Sequence, residues 1–230
     1  MVWSHAKLAR AQVVNFYLQL AVRVAAEAPG ALRTHVYSSY FYAKLACGRD
    51  GYDYAAVRRW TKALVRAACT TTPCIVVFVF TANADKLITP QDVYAYDLLI
   101  VPVNHDNAHW TLAAVWPARR RIEHYCSLGN SAGRDVLATL VHYMMHEAVD
   151  KRSPAAPRAA DAAPPRWTGC CVRRGVPRQR DGSACGVFTA AMGARLAAGR
   201  GAPFGLSQAD VPALRLRIAA DCLAQRAAPV

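Results

Sequence analysis

Cys185 is the residue in this chain whose setting best suits chemistry. In Val176-Pro177-Arg178-Gln179-Arg180-Asp181-Gly182-Ser183-Ala184-Cys185-Gly186-Val187-Phe188-Thr189 a glycine-containing turn delivers one thiol to the start of an apolar, helix-forming run. The first turn of a helix offers free N–H groups and the positive end of the dipole, both of which favour thiolate, the nucleophilic form. Gly186 leaves room for a close backbone or substrate, while Val187, Phe188 and Ala191 can face a core. An arbitrary Cys-Gly pair at a helix start is more often a buried structural thiol. A nucleophilic thiol also needs an imidazole within hydrogen-bond reach and a group to orient that imidazole. His109, beside Trp110 at a strand start, is the best candidate. His105 on the same loop is its rival, and a lone histidine in a strand is usually structural.

The elements that must hold these groups follow from periodicity. Leu8 to Glu27 reads as an amphipathic helix ending before Pro29-Gly30. His35-Val36-Tyr37 is short and extended, and Ser38-Ser39 can cap a helix through Leu45. A further helix is expected over about Tyr54 to Arg66, and a strand over Ile75 to Thr81, followed by a loop over Asn83 to Gln91. Asp97 to Val103 looks like a strand buried on both faces, with a polar turn over Asn104 to Asn107. Trp110 to Trp116 and Arg121 to Cys126 form the next two strands. Folding that hairpin about Pro117 to Arg120 sets residue 126 within a rung or two of His109. Helices are expected over Ser131 to Val149, Ala184 to Leu196 and, capped by Ser207 or Asp210, on to Leu223. Trp167 to Val172 is extended, and residues 153–166 form a Pro/Ala-rich insertion. Helices at both ends with strands between them indicate an α+β architecture, expected as one domain over residues 1–230.

Composition narrows the partners. The formal charge of +13 is mostly arginine, concentrated locally at Arg173, Arg174, Arg178 and Arg180. Such a surface attracts nucleic acid, anionic membrane or an acidic protein, but no nucleic-acid recognition motif accompanies it, so direct nucleic-acid binding is not expected. Eight cysteines include no C-x-x-C pair, so no metal or other cofactor is expected, and reduced thiols fit cytoplasm or nucleus. The N-terminal apolar positions are broken by Asn15, Gln19 and Arg23, unlike a signal peptide. The longest strongly apolar run, Cys74 to Ala82, is too short to span a bilayer. A monomer is expected.

Several stretches resemble the ubiquitin-like-protein protease family, specifically its SUMO-protease (sentrin-specific) branch. Residues 176–189 are similar to I-P-Q-Q-x-N-G-S-D-C-G-x-F-T, and Val101-Pro-Val-Asn…His109-Trp110-Thr-Leu resembles V-P-I-H…H-W-x-L. Val13-Val14-Asn15-Phe16-Tyr17-Leu18 resembles V-I-N-F-Y-M. His35 to Leu45 resembles H-V-F-S-T-F-F-Y-P-K-L, and Gly51-Tyr52…Val57-Arg-Arg-Trp-Thr-Lys62 resembles G-Y-x-x-V-x-R-W-T-K. The resemblance implies a papain-like cysteine-protease fold, with a central mixed β-sheet flanked by helices. It implies cleavage after the Gly-Gly end of SUMO or a related ubiquitin-like modifier, maturing a precursor or releasing the modifier from conjugates. By the same resemblance Cys185 is the nucleophile, His109 the general base and Gln179 the oxyanion donor. Trp110 roofs a channel that admits only glycine, since a Cβ would collide with the indole. Family members usually carry upstream segments, so one is expected before this chain.

Three departures accompany the likeness. Where the family has its triad acid, in Y-Y-D-S-L-G, this chain reads His124-Tyr125-Cys126-Ser127-Leu128-Gly129. Its D-C-G becomes Ala184-Cys185-Gly186, and W-L-N-D becomes Leu8-Ala9-Arg10-Ala11, so the second channel tryptophan is expected to be lost unless Trp3 reaches back. Asp106 and Asp181 are candidates to stand in for the missing acid, with His124 on the same strand face. Two function classes follow: a peptidase with a weakened triad, or a pseudoprotease that binds a ubiquitin-like protein without cleaving it. A basic nucleic-acid adaptor ranks last.

Overall fold

Alternation along β2 (Leu98–His105) and β3 (His109–Trp116) sends successive side chains to opposite faces of one sheet, and both faces are covered. The computed structural model describes residues 2–48, 51–61, 92–129, 133–151 and 166–225, with side chains from residue 11 onward. Five strands lie in the order β1-β2-β3-β4-β5, where β1 is Thr34–Val36, β4 is Arg121–Tyr125 and β5 is Thr168–Val172. The central pairs are antiparallel, and β1 and β5 join parallel at the two edges. The sheet is therefore mixed, as expected for the α+β class.

One face carries Leu98, Ile100, Leu112, Ala114 and Tyr125 against α1 (Val2–Ala25) and α4 (Cys185–Ala197). The other carries Leu99, Val101, Val103, Ala113 and Val115 against α2 (Ser39–Leu45) and α3 (Gly133–Lys151). The last helix, α5 (Val211–Ala224), reaches α1 and α4 through Ile218. Helices α1 and α4 touch closely at Gly193, where an added Cβ would lie 2.4 Å from Leu18 Cδ2.

The β2–β3 turn places His109. Asp106 and Asn107 both adopt positive φ, 51° and 58°, a pair that matches strand twist and that short polar residues tolerate. Asn104 Nδ2 and Asn107 Oδ1 close the turn at 2.9 Å. The strand runs to His105, past the turn expected from Asn104, because the Asn104 side chain satisfies Asn107 N at 3.0 Å and frees its own backbone for the ladder.

Other boundaries moved for physical reasons. Helix α1 begins at Val2, earlier than the periodicity suggested. Ser38 makes no side-chain cap at α2; Asn15 of α1 does that work in trans, accepting from Ser39 N at 2.9 Å. Of the helix expected over 54–66, the described part is only a 3-10 turn at Arg58–Trp60. Arg58 is drawn to Asp150 at 2.6 Å and Thr61 to Glu147 at 2.6 Å, so contacts with α3 override local propensity. The strand expected over Ile75 to Thr81, the loop over 83–91 and nearly all of the 153–166 insertion lie outside the described residues. Ser207 and Asp210 form a reciprocal capping box ahead of α5.

Candidate active site

The turn into α4 is built by Asp181. Its Oδ1 accepts from the backbone N–H groups of Ser183 and Ala184 at 2.8 and 2.7 Å, occupying donors that a helix start leaves open. Those backbone bonds hold its carboxyl below the ordinary value. Oδ2 accepts from Gln208 Nε2 at 2.8 Å, Gln208 Oε1 accepts from Arg180 N at 2.7 Å, and Arg215 donates to Ser183 O at 3.0 Å. The loop is thus braced from the α5 side, and Cys185 enters the first helical turn in one orientation. Asp181 is committed to this loop, so it does not stand in for a triad acid.

Cys185 is buried, with 6% of its surface exposed. Burial pushes its pKa up, but hydrogen bonds from the His109 ring and the Trp110 backbone, the His109 charge and the Gly186 N–H together hold it below the ordinary thiol value. The chain places this thiol beside His109, as the sequence anticipated. His109 is 9% exposed at the first position of β3.

Register brings Cys126 to the same ring. Leu112 pairs with Tyr125 and Ala113 with His124, so Cys126 falls one residue beyond the ladder, diagonal to His109 and inside the two-rung margin expected. Its Sγ lies 3.2 Å from His109 Nε2. His105 faces His109 across the β2–β3 ladder, with ring centroids 6.0 Å apart, and its Nε2 meets Thr111 Oγ1 at 2.9 Å. His105 is therefore a neighbour of the site and is tied to Thr111. Asp106 lies in the turn, where its charge bears on His105.

His124 does not orient the site. It is 1% exposed, its Nδ1 and Cys171 Sγ both crowd Gly133 at the start of α3, and its Nε2 has no hydrogen-bond partner. Burial, with the charges of His105 and His109, pushes its pKa down to about 4.

Gln179 is anchored at both ends of its amide. Ser127 Oγ donates to Oε1 at 2.6 Å, Nε2 donates to Asp181 O at 2.7 Å, and the Gln179 backbone N–H reaches Ser127 O at 3.1 Å. One N–H of the amide is left outside these contacts. Trp110 packs beside Gly186: an added Cβ there would lie 3.6 Å from Trp110 Cδ1 and 3.8 Å from Val14 Cγ2. Protein packing alone would accept alanine, so the glycine keeps space open next to the indole. The side chains of Trp3 and Leu8 lie outside the described ones. Among the described residues no cluster of three or more His, Cys, Asp or Glu could hold a metal.

Sequence reasoning missed Ser127, Gln208 and Arg215. Ser127 carries no pattern of its own; the Asp181 brace was partly legible as an acidic residue placed just ahead of a helix start.

The chain resembles known proteins over most of its length. It is 27% identical over 186 residues to a sentrin-specific protease of Caenorhabditis elegans, covering 79% of this chain and 20% of that protein. It is 25% identical over 216 residues to human sentrin-specific protease 2, covering 94% of this chain and 30% of that one. The chain thus spans less than a third of the length of these relatives. Among solved structures, the SUMO protease Ulp1 with its catalytic cysteine oxidised to a sulfinic acid superposes with a TM-score of 0.63 at 18% identity, covering 94% of this chain and 77% of that one. The Ulp1-like SUMO protease catalytic domain of Chaetomium thermophilum gives 0.59 at 25% identity, covering 93% and 70%. The Ulp1 protease domain solved in complex with Smt3, the yeast ortholog of SUMO, gives 0.60 at 18% identity, covering 93% and 76%. These likenesses agree with a papain-like sheet that presents a thiol at a helix start to a histidine at a strand start. Residues 8–230 match the description "Ulp1 protease family, C-terminal catalytic domain", and the chain belongs to that family.

Proposed function

We propose that this chain is a cysteine peptidase that cleaves after the Gly-Gly end of SUMO or a related ubiquitin-like modifier, processing its precursor or releasing it from lysine conjugates. The observation that carries the reading is the buried Cys185 thiol at the first turn of α4 beside the ring of His109, its pKa lowered, against the effect of burial, by that ring and by the backbone N–H groups of Trp110 on β3 and Gly186 in α4. Family membership supports the reaction class, and the sentrin-specific relatives support the modifier.

In this reading His109 takes the Cys185 proton, giving thiolate and imidazolium. The thiolate attacks the carbonyl carbon of the terminal glycine, and the oxygen gains charge facing the Gln179 amide and the helix N–H groups. As the tetrahedral intermediate collapses, His109 gives its proton to the leaving nitrogen and a thioester to Cys185 remains. Water, deprotonated by His109, attacks that thioester and frees the carboxylate and the thiol. Trp110 and Gly186 line the slot for the two glycines. The exposed Arg173, Arg174, Arg178 and Arg180 on the approach to Cys185 suit an acidic protein surface. A thiol nucleophile of this kind suits a reducing compartment, nucleus or cytoplasm.

The second reading is a binder that does not cleave, and Cys126 in place of an acid favours it. A SUMO C-terminal amide of aminomethylcoumarin separates the two. Release of coumarin that is lost in Cys185→Ala supports the peptidase; tight binding of SUMO with no release at high protein concentration rejects it in favour of the binder.

A further inference from the structure

His109 has a sulfur on each side. Nε2 lies 3.2 Å from Cys126 Sγ, and the ring also hydrogen-bonds Cys185. With Nε2 turned to Cys126, Nδ1 is the nitrogen left to serve Cys185. Cys126 is held in place: it is buried directly after β4, and its carbonyl accepts from Gly129 N at 3.1 Å. Among the described residues His109 has no carboxylate partner.

We propose that Cys126 is the positioning residue of the site: its sulfur accepts the Nε2–H of His109 and so fixes the tautomer that leaves Nδ1 bare to receive the proton of Cys185. This rests on the peptidase reading above.

A thiol does this differently from a carboxylate in two respects. A carboxylate only accepts, which forces the proton onto Nε2. A thiol can also donate its S–H to Nε2, which moves the ring proton to Nδ1, and in that tautomer His109 cannot deprotonate Cys185. Cys126 therefore permits an idle form that an acid would exclude. A neutral thiol also stabilises the imidazolium less than an anion does. The other titratable groups around the ring push the same way or act at one remove. His105 of β2 and His124 of β4 would repel a second positive charge, Cys185 of α4 is the partner thiolate, and Asp106 bears on His105.

The test compares wild type with Cys126→Ala, Cys126→Ser and Cys126→Asp by two readouts. Nitrogen-15 shifts of the His109 ring report which nitrogen carries the proton and where the ring titrates, with no need for turnover; kcat and KM come from the coumarin substrate across pH. In wild type the neutral ring carries its proton mainly on Nε2. Cys126→Ala moves the ring toward a tautomer mixture and lowers kcat by about tenfold with KM within twofold. That is far short of the ~10⁴ lost when a serine triad loses its acid, because a thiolate is intrinsically available. Cys126→Ser recovers part of the loss. Cys126→Asp raises kcat and moves the alkaline limb of kcat/KM to higher pH. A wild-type ring protonated mainly on Nδ1, or a Cys126→Ala protein unchanged in tautomer and kcat, overturns the proposal and leaves the peptidase reading intact. A wild type without turnover whose ring shifts still follow this order overturns the peptidase reading and leaves the positioning role standing. Should Cys126→Ala not fold, the order of Ser, wild type and Asp decides by the same readouts.

Discussion

Ser127 donates a 2.6 Å hydrogen bond to Oε1 of Gln179 and, together with the 2.7 Å bond from Nε2 to Asp181 O, fixes which way the amide is turned. In the proposed mechanism this leaves the remaining N–H of the amide for the carbonyl under attack. Ser127→Ala frees the amide to turn, so kcat is expected to fall by about fivefold to tenfold while KM stays within twofold. Gln179→Ala, which removes the donor altogether, should cost about 10²-fold in kcat. Steady-state kinetics on both variants checks the order; a Ser127→Ala loss as large as that of Gln179→Ala would contradict a merely orienting role.

Asp181 ties the nucleophile turn to the α5 side through Ser183, Ala184 and Gln208. Asp181→Ala leaves those donors without their acceptor and is expected to lower the melting temperature. It should also slow alkylation of Cys185, because the thiol no longer enters α4 in one pose. Asp181→Asn keeps an acceptor and should recover most of the stability in thermal melts.

Gly186 separates stability from function. Alanine there meets Trp110 and Val14 at ordinary contact distances, so the melting temperature of Gly186→Ala should stay within about 2 °C of wild type. The new methyl occupies the space beside the indole, and kcat/KM on a Gly-Gly substrate should fall by about 10-fold or more. An active Gly186→Ala protein would show that the slot lies elsewhere.

His124 makes the fold acid-sensitive. Its pKa falls from 6.5 to about 4 on folding, so between those values the unfolded chain binds a proton that the folded chain refuses. Stability from this group is present above the unfolded value, declines as pH drops from about 6.5 toward 4, and is flat below. His124→Leu should flatten that part of the melting-temperature profile, and a slope unchanged by the substitution would assign the acid sensitivity to other groups.

How much of this was legible in the sequence depends on the range of each interaction. The hairpin between β3 and β4 is local, so its short loop confined Cys126 to the neighbourhood of His109 before any coordinates. The site's bracing is long-range: Ser127 meets Gln179, and Asp181 meets Gln208, through pairings that leave no periodic mark. The same limit explains the misread stretch after Tyr54, where Arg58 and Thr61 are captured by α3 through Asp150 and Glu147. Asp106 and Asp181 were reasonable stand-ins by residue type. The Asp181 carboxylate is spent on loop N–H groups, which removes it, while Asp106 lies in the β2–β3 turn, where its charge bears on His105.

Cys185 and His109 sit on separate elements, one at the start of α4 and the other at the start of β3, joined only when sheet and helix pack. A ribosome-bound chain that has emerged through β4 carries the imidazole without its sulfur, and a proteolytic fragment beginning after β5 carries the sulfur without its imidazole. Neither can cut a bystander. In the peptidase reading the reactive pair exists only in the finished tertiary structure, so neither a half-made nor a broken copy carries it.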